Sequence, residues 1–177
     1  MKKIVLISIL SLLVGHCIKA QIAVTPDGLM NADDITTREV IIKYPGVQKE
    51  KLIDVYRGCV KTYSERGRNL SFFDGEDGLM IKFAGVGRFG TGAVKTGSAS
   101  FTLLFMFKDE SVMIQARDLK LRRIGLFKGE ARQYIYTEKG KVSRQGEILK
   151  PMVEREINAH FREIVDTAGS LIAIQGK

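Results

Sequence analysis

From Phe101 to Phe107 only Thr102 is polar, so the strand that forms there is apolar on both faces. Such a strand belongs in the middle of a sheet, because an edge would leave the run open to pairing with other chains. It sits within Ser98 to Lys108, and Asp109-Glu110 joins it to a second run from Ser111 to Leu121. A connection that short makes the two strands antiparallel neighbours. Leu70 to Phe73 and Leu79 to Phe89 supply two more strands around a turn at Asp74 to Gly78. Upstream, Thr36 to Tyr44 alternates, with Arg38, Val40, Ile42 and Tyr44 on one face, and Pro45-Gly46 stops it.

Two helical stripes flank this block. Between Gln48 and Arg66, Leu52, Val55, Tyr56, Cys59, Val60 and Tyr63 recur at spacings of three and four, opposite Lys49, Glu50, Asp54, Arg57 and Lys61, and Gly67 is placed to end the helix. Near the end of the chain, Pro151 suits a first helical position, and Val153, Ile157, Phe161, Ile164, Val165 and Ala168 form a stripe that stops around Gly169. Each helix has one face to bury and the sheet offers one broad surface. The fold expected is α+β, a two-layer sandwich with a curved antiparallel sheet and both helices on one face.

The ends of the chain have a different character. Lys2 and Lys3 precede an apolar run from Ile4 to Val14, too short to span a bilayer, and Ala20 is a small residue at the end of the segment. Residues 1–20 read as a signal peptide cleaved before Gln21, and His16 ahead of Cys17 argues against lipoprotein processing. The expectation is an exported, periplasmic or envelope-associated protein with no transmembrane span in the mature chain. Residues 21–34, with Thr-Pro-Asp-Gly and Asn-Ala-Asp-Asp, read as an exposed lead-in. A single domain then runs over 35–170, with 171–177 as a tail. The mature chain keeps only Cys59, so no internal disulfide is available and packing must supply the stability.

Here a resemblance enters. The export signal, the opening strand ending in Tyr44-Pro45-Gly46-Val47, the Lys49-Glu50-Lys51-Leu52 helix start and the glycine-interrupted strands through Asp118 together resemble a family of exported bacterial domains of unknown function. Those domains have a TATA-binding-protein-like (TBP-like) fold. The likeness covers Ile35 to Leu121, and the last helix completes the β-α-β-β-β-β-α order that it implies. The chain departs from the pattern in having no Trp and in its long basic segment before the last helix. The resemblance implies neither an activity nor catalytic residues.

Motifs that suggest chemistry fail on context. Gly85-Val86-Gly87-Arg88-Phe89-Gly90 matches GxGxxG, but Thr91 to Ser100 contains Gly92 and Gly97 and no helical stripe, whereas a dinucleotide turn must open a helix. Lys95-Thr96-Gly97 matches one β-lactamase element, but the chain has no SxxK to supply the nucleophile. Cys59 lies in the apolar stripe, where a buried thiol is inert, which weakens a dyad with His160. Glu156, His160 and Glu163 share a helical face and read as a solvated surface before a metal site. No cofactor or metal is implied.

Charge is unevenly distributed. Arg117 to Lys150 holds ten basic and four acidic residues, so it carries a net +6 against +5 for the whole mature chain. The residues chosen as a contact surface for an anionic partner are Arg122, Arg123, Lys128, Arg132, Lys141 and Arg144, with Tyr134 and Tyr136 interleaved. The expected function is a non-enzymatic binding module of the bacterial cell envelope, whose partner is an anionic envelope component or an acidic protein. Export makes nucleic acid an unlikely partner. The alternative is a small exported hydrolase or metal-assisted enzyme using His160 and neighbouring acids.

Overall fold

The structure is a computed structural model of the chain and describes residues 21–66, 70–75, 78–89, 97–123 and 127–175, with backbone alone at 88, 89, 123, 127 and 128. A hairpin of β1 (Ile22–Thr25) and β2 (Gly28–Asn31) comes first, then β3 (Glu39–Lys43) and the helix α1 (Lys49–Arg66). Four strands follow, β4 (Leu70–Asp74), β5 (Gly78–Phe89), β6 (Gly97–Lys108) and β7 (Ser111–Arg123). A short β8 (Phe127–Glu130), a single helical turn α2 (Arg132–Ile135) and the long α3 (Gly146–Gln175) complete the chain. The main sheet has the order β3-β7-β6-β5-β4, with β8 also paired to β7, and every pairing is antiparallel.

The sandwich is the one that the pattern predicts. Phe101, Leu103, Phe105 and Phe107 of the central β6 are buried together with Val40, Ile42, Leu79, Ile81, Phe83, Val112 and Ile114 from its neighbours. Leu52, Val55, Tyr56, Cys59 and Val60 of α1 and Val153, Ile157, Phe161, Ile164, Val165 and Ala168 of α3 cover them from one side. Burying a side chain of this size contributes roughly 1.5–3 kcal/mol before entropy is counted, so the two stripes largely hold the layers together. The polar tips that enter this core are paired, and the hydroxyls of Tyr44 and Tyr56 lie 2.8 Å apart.

Four expectations need correction. Residues 21–34 are not an exposed lead-in, because Ile22, Val24 and Leu29 are at most 3% exposed and the Pro26-Asp27 turn closes a hairpin. Asn158 of α3 accepts from the Ile22 N–H and donates to its carbonyl, both at 2.8 Å, and Glu154 accepts from the Val24 N–H at 2.8 Å. The last helix begins before Pro151. Ser143 caps it, its hydroxyl oxygen accepting the Gly146 N–H at 2.9 Å, so Pro151 lies inside the helix, one turn further on. The helix also passes Gly169 and runs through Leu171 to Gln175, so those residues are not a tail.

Lys139-Gly140 reads in the sequence as the turn of a hairpin between Ala131 to Thr137 and Lys141 to Gln145, but the stretch forms α2 and one bridge between Tyr136 and Val142. Ile135 is fully buried there, and a helical turn gives it that burial where a solvated ribbon would not. Residues 1–20 and Gly67 lie outside the described residues, as do Lys95 and Thr96.

Gly85 and Gly87 of the GxGxxG match adopt φ near +68° and +67° inside β5, at its register shifts against β6. They are bulge glycines. A Cβ on Gly87 would sit 2.6 Å from Cδ of Glu156, so that glycine also lets α3 approach the strand. Gly90 lies outside the described residues.

Candidate functional site

One edge of β7 is interrupted. β3 pairs with Ser111 to Gln115 and β8 pairs with Lys120 to Arg123, which leaves residues 116–119 between them. On the other edge the β6 register jumps from Thr102 opposite Arg117 to Ser100 opposite Lys120, so two residues of β7 face one of β6. That is a bulge, and Asp118 at its centre takes φ of 60°. Within the bulge Ala116 points inward and is buried, Arg117, Asp118 and Lys120 point to solvent, and Leu121 returns to the core.

The gap holds a groove of about 670 Å³, between the turn of the β1-β2 hairpin, Arg38 ahead of β3, the bulge, and Glu130 to Arg132 where β8 meets α2. That size suits a small ligand. Four cations line it, Arg38, Arg117, Lys120 and Arg132, together with three carboxylates, Asp27, Asp118 and Glu130. Arg38 is anchored, donating from Nη2 to the Asp27 carbonyl at 3.0 Å. Among the described residues no carboxylate stands within ion-pair distance of Arg117, Lys120 or Arg132, and all three are exposed. Their charges are free to meet a ligand.

Of the six residues chosen from the sequence, only Arg132 lines this groove. Arg122 is exposed further along β7, opposite Ser98 of β6 and Lys128 of β8. The side chains of Arg123 and Lys128 lie outside the described residues. Lys141 is exposed in the turn after α2, where its N–H bonds to Thr137, and Arg144 is exposed in the first turn leading into α3. Arg38, Arg117 and Lys120 were not singled out. The charge count of the segment covers two of them, but nothing in the sequence shows that a bulge would aim them at Arg38.

His160 has a different setting. Its Nδ1 meets the Tyr63 hydroxyl and its Nε2 lies 3.2 Å from Oε1 of Glu156. The ring packs 4.9 Å from that of Phe83, which stacks at 4.4 Å on Phe101. Burial, with Glu163 and Glu156 nearby, pushes the Tyr63 phenol up to about 12. At neutral pH it is therefore a hydrogen-bonding phenol and not a base. Burial raises the Cys59 thiol as well. The Glu156–His160–Tyr63 chain ties α3 to α1 above the aromatic centre of the sheet. Among the described residues no group of three or more His, Cys, Asp or Glu side chains converges as a metal site would require. No described helix is long and apolar enough to cross a membrane.

No protein-family model and no curated protein matches the sequence. Two solved structures share its fold. A DUF4468 family protein from Bacteroides ovatus aligns with a TM-score of 0.61 at 7% identity, over 74% of this chain and 84% of that one. A TBP-like protein from Parabacteroides distasonis aligns with a TM-score of 0.62 at 12% identity, over 74% of this chain and 90% of that one. The fold is thus TBP-like, as the resemblance implies, and one of its structural neighbours comes from a domain-of-unknown-function family. At these identities the likeness concerns the fold, and function has to be argued from the site.

Proposed function

We propose that this chain is a non-enzymatic binding module of the bacterial cell envelope, and that its anionic ligand sits in the groove beside the β7 bulge. The observation that carries this reading is the convergence on one concavity of three exposed cations, Arg117, Lys120 and Arg132, with no ion-pair partner among the described residues. Four cations against three carboxylates leave a net charge of +1 in the groove. A polyanion such as nucleic acid would meet repulsion from Asp27, Asp118 and Glu130. A single anionic group surrounded by hydroxyl donors, as on an acidic sugar unit, satisfies both signs of charge.

Export through cleavage before Gln21 belongs to the same proposal. Its support is the sequence itself, with Lys2 and Lys3 ahead of the apolar run from Ile4 to Val14 and Ala20 as the small residue before Gln21. Mass spectrometry of the protein recovered from cells should find Gln21 at the amino terminus, and an intact Met1 would refute export by this route.

Co-sedimentation with separated envelope fractions tests the binding reading, comparing the wild type with Arg117→Gln plus Arg132→Gln across a salt series. The wild type should pellet with one fraction and be released by salt, because exposed charges are screened within about 8 Å at physiological ionic strength. The double variant should stay in solution. Equal retention of both proteins, or binding indifferent to salt, sinks the proposal. His160→Ala should bind as the wild type does, which separates this reading from a hydrolase built on His160.

A further inference from the structure

The sheet has a second face, which no described helix covers. Residues directly opposite one another across its strands share a face, so the pairings trace the rows of that surface. Phe73, Met80 and Leu104 form one apolar row that ends in Gln115 and Glu39. Met106, Met113 and Ile41 form the next. Phe73 is 51% and Ile41 54% exposed, and the four between them are only partly covered. None of the six belongs to the hydrophobic core or packs against it.

Basic residues border this patch at both ends. Lys82 and Arg117 flank Thr102 at one end, and Lys108 and Lys43 flank Ser111 at the other. All four are exposed. The acid on this face, Glu39, accepts from Nε2 of Gln115 at 3.0 Å. The two apolar rows lie about 7 Å apart along the strands and together cross five strands, about 19 Å, while the basic ends stand about 20 Å apart. The six apolar positions cover roughly 200 Å² of sheet, and with the basic ends they form the apolar centre and polar rim of a small interface.

We infer that this face docks an acidic polypeptide segment, with an apolar centre that lies on the Met80–Leu104–Met106–Met113 surface and carboxylates that meet Lys82 and Arg117 at one end and Lys43 and Lys108 at the other. Charge excludes the main competitor. Two copies of this chain placed face to face would bring a basic end against a basic end in either orientation. A flat face of half-covered side chains is also poorly shaped to insert ~5–10 Å into a lipid interface. Three of the six methionines lie on this patch, and the adaptable thioether side chain suits capture of polypeptide side chains. The site is separate from the groove, although Arg117 borders both.

Methyl NMR of the chain from Gln21 onward, labelled at methionine, tests this directly. The probe is a synthetic helical peptide of about 18 residues, ~27 Å long, with a leucine stripe bordered by glutamates. The methyls of Met80, Met106 and Met113 should shift saturably, while those of Met30 and Met152 stay in place. A counterpart peptide with lysine for every glutamate should bind at least roughly tenfold more weakly, because a wrong charge meets the rim. Lys43→Ala plus Lys82→Ala should weaken binding of the acidic peptide without moving the unfolding midpoint. Absence of shifts with the acidic peptide overturns the inference. So does equal binding of the basic one, shifts produced only by anionic lipid vesicles, or shifts that appear with protein concentration alone.

Discussion

Two glycines inside helices should respond in opposite directions to the same substitution. On intrinsic propensity alone, glycine to alanine in a helix gains about 1 kcal/mol. Gly58, midway along α1, has nothing within 4 Å of where a Cβ would stand, so Gly58→Ala should keep most of that gain, about 0.5–1 kcal/mol. At Gly146 the Cβ would lie 1.9 Å from the Ile135 carbonyl oxygen, 2.7 Å from its carbon and 2.9 Å from its Cα. These are backbone atoms that no rotamer change can move, and relieving the contact requires a shift of more than about 1 Å, against a usual separation near 3.5 Å. That carbonyl also accepts the Ser143 N–H at 2.9 Å, and Ser143 caps α3. Overpacking of roughly 1–3 kcal/mol and a weakened hydrogen bond of about 1 kcal/mol outweigh the propensity gain. A net loss of about 2 kcal/mol is expected, or roughly 4–8 °C in Tm for a domain of this size. Urea unfolding followed by circular dichroism, with m held constant, reads both variants. If Gly146→Ala proves as stable as the wild type, the close seating of α2 on the start of α3 is wrong.

Other perturbations have smaller or more specific signatures. Asn158→Ala removes both hydrogen bonds to Ile22, so hydrogen exchange should speed up at Ile22 and Val24 well before global unfolding, with a stability loss of roughly 1–3 kcal/mol. Burial raises the phenols of Tyr44, Tyr56, Tyr63 and Tyr136 above their ordinary value, Tyr63 and Tyr136 up to about 12. Below pH 10 the folded and unfolded chains both keep these protons. Between pH 10 and 12 only the unfolded chain releases them, so stability falls as pH rises, by roughly 2–3 kcal/mol for the buried Tyr136. Urea midpoints at pH 9 and pH 11.5 should show the drop, and Tyr136→Phe should make it shallower; a flat profile would contradict the burial. Arg57 meets Asp74 through Nε at 2.7 Å, but both side chains are 39% exposed, so Arg57→Ala should leave the urea midpoint nearly unchanged in the same assay, and a clear loss would show that the pair is more than a surface contact.

The two helices and the central strands were legible because their burial is periodic. The stripe from Leu52 to Val60 and that from Val153 to Ala168 are the buried faces that the structure shows, and β6 and β7 meet at Asp109-Glu110 as the turn signal predicts. Errors arose where a local signal had two physical meanings. Pro151 fits a first helical position, yet Ser143 is the true cap and the helix carries Pro151 inside it without the hydrogen bond that an N–H there would make to the Glu147 carbonyl. Pro26-Asp27-Gly28 looked like loop punctuation and is a hairpin turn, while the alternation of Ile22 and Val24 on one side and Leu29 on the other was too short to stand out. The groove was the least visible feature. It depends on the left-handed Asp118 and on a sheet edge left unpaired between β3 and β8, and neither follows from residue types along the chain.

The tether that closes the hairpin onto α3 sets the order in which the molecule can be completed. Ile22 waits for Asn158, 136 residues later, Val24 for Glu154, 130 later, and the Val24 carbonyl for the Tyr136 hydroxyl, 112 later. At a synthesis rate of roughly 5–20 residues per second, the first strand spends about 7–27 s without the partners that bury it. In the main sheet β4 through β7 meet as successive neighbours, and β3 waits only as far as β7. The amino-terminal strand is therefore the last piece to seat, and a chain interrupted before Asn158 would carry an assembled sheet and a loose, sticky beginning.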